Sequence, residues 1–215
     1  MIIAIDGPGA AGKGTLARRL AAHLGLAYLD SGRLYRAVAL RLLREGRDPE
    51  NEGDAIAAAK ALLPGDLDDP ALKGDEIAQM AAKAAIHPGV RDVLTEFQRR
   101  FAATPPGEAP GAVIDGRDIG TVVCPSAPIK LFVTAEPEVR AERRALELQQ
   151  RGQNAIYARV LEELKARDAR DQGRAVAPLA IAKDAYVLDT TDLDPDAVFA
   201  AALAFITART SQQAR

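Results

Sequence analysis

The sequence predicts an α/β protein with a parallel sheet covered by helices. Short apolar runs alternate with helical patterns, a glycine-rich segment follows the first run, and aspartates follow several of the others. Continuous apolar runs are typical of buried parallel strands, which helices connect. Because single domains reach about 250 residues, we expect one domain over 1–215. The five predicted strands are 1–5, 26–29, 112–114, 129–133 and 185–188.

The first strand is followed by Asp6 and then by GPGAAGKGT. The spacing of its glycines and lysine is that of a P-loop, and 16–24 predicts the helix behind it. Glycines let backbone N–H groups approach phosphates, the helix N-terminus adds positive potential, and the lysine provides a charge. A glycine-rich turn without a ligand is the alternative. Because the glycines, the lysine, the preceding strand and the following helix all fall at the spacing of the motif, a purine triphosphate site is favoured. It is formed by Gly7, Pro8, Gly9, Ala10, Ala11, Gly12, Lys13, Gly14 and Thr15.

Further along the chain, apolar residues at three- and four-residue spacing predict helices over 34–42 and 90–101. The turn-rich segment 64–76 between them predicts a loop. After the fourth strand, Pro137 begins a helix that Gly152 ends, and a second helix is predicted over about 154–171. This helix pair is a candidate lid.

The composition excludes several classes of function. The net charge is −2 and the basic residues form no run, so we expect no nucleic acid polymer as a partner. The longest uncharged apolar stretch, 197–208, is too short to cross a membrane and predicts a core-facing helix. The single cysteine, Cys124, predicts a small buried side chain and a reducing compartment. We expect a cytoplasmic monomer.

Three further strings stand beside the P-loop: LDSGRLYR at 29–36, IDGRDIGTVV at 114–123 and RDARDQGRAVAPL at 167–179. Together the four closely resemble the bacterial cytidylate kinases of the P-loop nucleoside monophosphate kinase superfamily, over residues 1 to about 190. The resemblance implies a five-stranded parallel sheet with an acceptor-binding insert at about 31–103 and a short lid at about 145–173. It also implies transfer of the γ-phosphoryl group of ATP to CMP, and to dCMP, with Mg²⁺.

The same resemblance implies roles for individual residues. Lys13, Arg117 and Arg174 match catalytic positions, and Arg91 with Asp118 match positions that contact cytosine. A carboxylate accepts from the cytosine amine, whereas uracil would turn a carbonyl toward it. The matching CMP-binding residues are Asp30, Ser31, Arg36, Arg91, Arg117, Asp118, Arg167, Asp171 and Arg174.

For these charged residues the ordinary alternative is a surface ion pair. Arg167 and Asp171, which match ribose-binding positions, stand at i and i+4 on a predicted helix and could form such a pair. Asp115 matches the acidic residue that organises the Mg²⁺ hydration shell, with Thr15 or Asp30 as a second contributor. No direct metal ligand is assigned, because Gly14 replaces the hydroxyl residue that usually follows the P-loop lysine.

Two departures from the family pattern are visible. The insert shows no strand pattern where the family has a small antiparallel sheet, so we expect it to be shortened and mainly helical. Ala82 replaces a serine that helps to read the base. His23 and His87 belong to no matching string and are interpreted as structural. A UMP, AMP or shikimate kinase on the same scaffold and a regulatory nucleotide switch remain alternatives.

Overall fold

The computed structural model of the chain describes residues 1–174 and 176–213. Its five-stranded sheet has the order β2-β3-β1-β4-β5, and β1 pairs in parallel with β3 and β4, as β4 does with β5. The predicted parallel sheet flanked by helices is confirmed. The strands are β1 (Ile2–Asp6), β2 (Ala27–Asp30), β3 (Ala112–Gly116), β4 (Ile129–Thr134) and β5 (Tyr186–Asp189).

Eight α-helices accompany the sheet within the described residues. They are α1 (Lys13–Leu24), α2 (Ser31–Arg44), α3 (Glu52–Lys60), α4 (Asp75–Ala84), α5 (Pro88–Ala103), α6 (Pro137–Gln150), α7 (Tyr157–Gln172) and α8 (Pro195–Gln213). A π-helical turn, Ile119–Val123, follows β3. The chain divides into two compact units, one formed by Met1–Tyr28 with Pro105–Arg215 and the other by Leu29–Thr104.

In the first unit the core lies between the sheet and helices α1 and α8. Ile3, Ile5 and Leu131 of the central strands are at most 1% exposed, and Leu20 and Ile206 of the two helices pack in the same cluster. Side chains of this size contribute about 1.5 to 3 kcal/mol each when buried. The predicted C-terminal helix is thus a core helix. None of the helices in 1–174 and 176–213 combines the length and apolar character of a membrane crossing.

Helices α6 and α7 of the same unit pack on each other. Ala141 and Ala145 of α6 meet Val160 and Leu164 of α7 in a separate small core. The small alanines allow the two helices to approach closely, and Gly152, at φ +74°, follows the end of α6. This is the helix pair that the sequence identifies as a candidate lid.

The second unit is helical. Leu34, Val38 and Leu42 form the buried face of α2, which packs on α3 and α4, and α3 packs on α5. Residues 31–104, all of which the structure describes, contain no β-strand. The predicted loop over 64–76 is wrong in detail, because it contains two 3₁₀ turns, Pro64–Asp68 and Pro70–Lys73, and its last two residues begin α4.

Candidate active site

The P-loop connects β1 to α1 through backbone that only glycine accommodates at two positions. Gly7 has φ +144°, and a Cβ there would lie 1.9 Å from the carbonyl oxygen of Val133. Gly12 has φ +89° and caps α1. Side chains rarely adopt these backbone angles, and the contact with Val133 leaves no space for one. The loop therefore lies directly against the end of β4.

Lys13 begins α1 and is buried, 6% exposed. Its Nζ donates to the carbonyl oxygen of Pro8 at 2.6 Å, which curls the side chain over the loop. Burial, together with the nearby positive charge of Arg117, lowers the pKa of Lys13 to about 7, against the opposing effect of Asp115. Phosphate groups would reverse this shift, since opposite charge favours the protonated amine.

Two side chains from the rest of the first unit hold the loop from outside. Arg140 of α6, 4% exposed, donates to the carbonyl oxygen of Gly9 at 3.2 Å and forms an ion pair with Asp168 of α7 at 2.7 Å. Thr190 Oγ1 donates to the carbonyl oxygen of Ala11 at 3.2 Å. Arg140 therefore connects the P-loop to α7. The sequence analysis assigned no role to Arg140 or Asp168.

Helix α7 and Arg117 also approach the P-loop directly. A Cβ built on Gly9 would lie 3.4 Å from Leu164 Cδ2 and 3.9 Å from Arg117 Nη2. The loop is therefore flanked by an apolar side chain and a guanidinium. This arrangement supplies both exclusion of water and positive charge at a phosphate site.

Asp171, 3% exposed, is the centre of an arginine cluster. Its carboxylate accepts from Arg117 Nε at 2.9 Å and from Arg174 Nη2, and Arg167 Nε lies 3.9 Å away. Burial alone would raise the pKa of Asp171, but Arg117 and Arg174 more than offset it, so that its pKa lies below the usual value. The structure thus brings together four of the predicted acceptor-binding residues.

Asp115 lies near the end of β3 and is buried, 6% exposed. Its Oδ1 accepts from the Tyr28 hydroxyl at 3.3 Å, and its Oδ2 lies 3.5 Å from the position a Cβ on Gly14 would occupy. The carboxylate therefore stands beside the site where a hydroxyl residue usually follows the P-loop lysine. Within the residues that the structure describes, no three His, Cys, Asp or Glu side chains form a metal-binding group. One carboxylate fits Mg²⁺, which retains several waters in such sites.

Asp118 immediately precedes the π-helical turn. It is half-buried, and its carbonyl oxygen accepts from the N–H groups of Val122 and Val123 at 2.9 and 3.1 Å. The two N–H groups that begin the turn, on Ile119 and Gly120, donate instead to the carboxylate of Asp6. Sequence reasoning missed Asp6. Its position, a carboxylate ending an apolar strand, was the available signal.

In the second unit the predicted residues form two local groups. Arg36 pairs with Asp30 at 3.0 Å, and Asp30 also caps α2 by accepting from the Arg33 N–H, next to the buried Ser31. Arg91 of α5 is 6% exposed and donates through Nε to the carbonyl oxygen of Ala85 at 3.1 Å. A buried arginine such as Arg91 needs a partner of this kind.

The remaining polar candidates have structural environments. His23 is exposed and packs edge-on against Phe199, and His87 Nε2 lies 3.0 Å from the carbonyl oxygen of Pro49. Cys124 is buried, as predicted. Ala82 is an exposed residue of α4.

The fold and the site define the class of protein. Proteins that transfer phosphoryl groups typically combine a glycine-rich loop and its lysine with a carboxylate and several arginines. A solved structure of an uncharacterized protein from Eubacterium ventriosum shares the fold, with a TM-score of 0.52 at 16% identity over 98% of this chain and 99% of that one.

Sequence comparison assigns the chain within this class. A family model described as cytidylate kinase matches residues 3–208. The cytidylate kinase of Paramagnetospirillum magneticum is 63% identical over 95% of this chain and 97% of its own. The cytidylate kinase of Rhodospirillum rubrum is 55% identical over 94% of this chain and 95% of its own. The chain belongs to the cytidylate kinase family.

Proposed function

We infer that this chain transfers the γ-phosphoryl group of ATP to CMP, giving CDP and ADP, and we extend the acceptor to dCMP. The observation that carries this inference is the group of three arginines around Asp171 beside the P-loop. A P-loop alone binds one polyanion, whereas a kinase that acts on a nucleoside monophosphate must neutralise two. The additional guanidiniums supply that second set of charges.

On the donor side, residues Gly7 to Thr15 would bind the ATP phosphates through backbone N–H groups and the start of α1. Lys13 would leave the carbonyl oxygen of Pro8 for the β and γ phosphates. Mg²⁺, when bound, neutralises developing charge on the transferred group. Asp115 would organise its water shell, and Thr15 or Asp30 would assist.

On the acceptor side, we assign the CMP phosphate to Ser31, Arg36, Arg117 and Arg174, and the base to Arg91 and Asp118. Arg167 and Asp171 would hold the ribose hydroxyls, and Asp30 would orient Arg36. The ion pairs of Asp171 with Arg117 and Arg174 are then the arrangement before CMP binds. When CMP binds, Arg117 and Arg174 exchange the carboxylate for the phosphate, and Asp171 accepts from ribose instead. The second unit, which contains Ser31, Arg36 and Arg91, would provide the acceptor-binding insert.

The chemistry requires no general base. The acceptor oxygen belongs to a phosphate whose second pKa is about 6 and is already anionic at neutral pH. What the chain contributes is positioning and charge neutralisation. Closure of α6 and α7 over the P-loop would exclude water and suppress ATP hydrolysis. A cytoplasmic, monomeric protein is part of this proposal, in line with the single buried thiol.

The test is ADP release from ATP with CMP, dCMP, UMP, AMP or no acceptor. We expect the highest kcat/KM with CMP and dCMP and very little ADP without an acceptor. Preference for UMP or AMP would overturn the acceptor assignment. Equal turnover with and without acceptors would favour a nucleotide switch. Lys13→Met provides the inactive control for contaminating kinases.

A further inference from the structure

Asp6 is a buried carboxylate at the end of β1, 4% exposed, to which none of the roles above is assigned. Its Oδ1 accepts from the Ile119 N–H at 2.8 Å and its Oδ2 from the Gly120 N–H at 2.7 Å. Taking a carboxylate out of water is costly unless it is well hydrogen-bonded. The two short bonds indicate that this site is built around the carboxylate.

The two donors are the N–H groups that begin the π-helical turn Ile119–Val123. N–H groups at the start of a helical turn have no partner within it, and a negative charge there is favourable. Asp6 therefore caps this turn from 113 residues away. Asp118 directly precedes the capped turn, and Arg117 precedes Asp118, so the cap fixes the backbone that carries both side chains.

The packing around the cap leaves little freedom. A Cβ on Gly120 would lie 3.3 Å from Asp6 Oδ2 and 3.2 Å from Lys130 Cδ, so glycine allows the close approach. In the sheet register Asp6 stands beside Gly116, the last residue of β3. Beyond the turn, Lys130 Nζ donates to the carbonyl oxygen of Pro125 at 2.6 Å, which holds the far end of the segment.

We propose that Asp6 is a positioning residue for the acceptor nucleotide: by capping the turn at Ile119 and Gly120, it orients Arg117 and Asp118 toward CMP. This inference rests on the proposed CMP kinase function. Asp6 touches neither substrate in this account.

The electrostatics agree with a carboxylate held by geometry rather than by counter-charge. Burial, with a smaller contribution from the negative charge of Asp118, raises the pKa of Asp6 to about 6. The N–H groups of Gly120 and Ile119 and the positive charge of Lys13 oppose this rise. Lys130, whose stem packs against Gly120, has its amine bound to Pro125 and Asp184.

The test is Asp6→Asn, which keeps the shape but turns one amide N–H group toward a backbone N–H. We expect the Kd and KM for CMP to rise about tenfold, as displacement of a binding group predicts, with the KM for ATP unchanged. The CMP to UMP ratio of kcat/KM should narrow, and the amides of Ile119 and Gly120 should exchange hydrogen faster. Lys130→Met, which releases the far end of the same segment, should leave the KM for CMP unchanged.

Equal changes in the CMP and ATP parameters would overturn the proposal, as would an unchanged KM for CMP or an equal effect of Lys130→Met. If Asp6→Asn does not fold, Gly120→Ala crowds the same carboxylate from the other side and should give the same CMP-specific pattern. The wild-type protein, measured first, separates the two inferences. If it does not phosphorylate CMP, the proposed function fails; if it does and the variants behave as wild type, only the role of Asp6 fails.

Discussion

Two buried aspartates of the first unit, Asp6 and Asp171, are held in opposite ways. Asp6 accepts from backbone N–H groups, and burial raises its pKa to about 6. Asp171 accepts from Arg117 and Arg174, whose charges outweigh burial and keep its pKa below the usual value. Backbone donors cannot leave, whereas arginine side chains can rotate to another anion. In the proposed function, Asp6 therefore holds the backbone of the site, whereas Asp171 exchanges its arginine partners when CMP binds.

The largest expected effect is the loss of kcat when the P-loop lysine is replaced. Lys13 and Lys130 are both buried, and each donates from Nζ to a proline carbonyl five residues earlier at 2.6 Å. We expect Lys13→Met to lower kcat about 10²- to 10³-fold, because it removes charge stabilisation that grows in the transition state. Lys130→Met is the matched control. Similar kcat values for the two folded variants would contradict the P-loop assignment.

Stability against pH should differ in sign between the two aspartates. The folded protein binds a proton at Asp6 between about pH 4 and pH 6 and the unfolded chain does not, so the free energy of unfolding falls as pH rises through this window. At 1.36 kcal/mol per unit the fall is about 3 kcal/mol. For Asp171 the folded pKa is the lower one, and stability is lost as pH falls through it.

Urea unfolding of Asp6→Asn, Asp171→Asn and the wild type from pH 3 to pH 7.5 checks both signs. Asp6→Asn should remove the fall between pH 4 and pH 6. Asp171→Asn should remove the loss of stability that Asp171 causes at the acid end of the pH range. If both variants flattened the same side of the profile, the two carboxylates would not differ as described.

The arginine region should respond selectively to the acceptor. Arg174→Ala and Arg36→Ala should each weaken CMP binding by about 1.5 to 3 kcal/mol, the value of a charge-assisted hydrogen bond, with little change for ATP. Arg159→Ala is the control, because this exposed residue of α7 pairs with the exposed Glu163 on the same helix. Isothermal titration calorimetry of each variant with CMP and with ATP measures both affinities. Loss of ATP affinity with CMP binding retained would move these arginines to the donor side.

A smaller effect is expected at the base. Asp118→Ala should narrow the CMP to UMP ratio of kcat/KM by about 1 to 3 kcal/mol, the discrimination that one good base contact provides. The reason is that a carboxylate accepts from the cytosine amine and repels the uracil carbonyl, whereas alanine does neither. An unchanged ratio would show that the base is read elsewhere.

The sequence predicted the sheet and the P-loop because both depend on local patterns. Apolar runs predicted all five strands to within two residues of their observed ends. The motif places glycines at Gly7 and Gly12, where the backbone angles of the loop require them. The segment 64–76 was harder, since its turn residues are equally compatible with short 3₁₀ turns and a helix start at Asp75.

The roles of Asp6 and Arg140 could not be predicted from the sequence for a different reason. Their partners are distant along the chain: Ile119 is 113 residues from Asp6, and Gly9 is 131 residues from Arg140. Only the parallel arrangement of β1, β3 and β4 brings them together. The strings around Asp115 and Asp171 identified residues that would touch ligands. A carboxylate at the end of an apolar strand, such as Asp6, is visible in the sequence, but the sequence does not reveal which backbone groups it holds.

The most direct test of the exchange at Asp171 is a CMP titration followed by nitrogen-15 NMR of the arginine Nε groups and by hydrogen exchange of the backbone amides. We predict that the Nε signals of Arg117 and Arg174 shift and saturate as CMP binds, because both side chains leave Asp171 for the phosphate. The amides of Ile119 and Gly120 should keep their protection, since Asp6 holds them throughout. Arginine signals that stay in place at saturating CMP, or loss of protection at Ile119 and Gly120, would contradict this account.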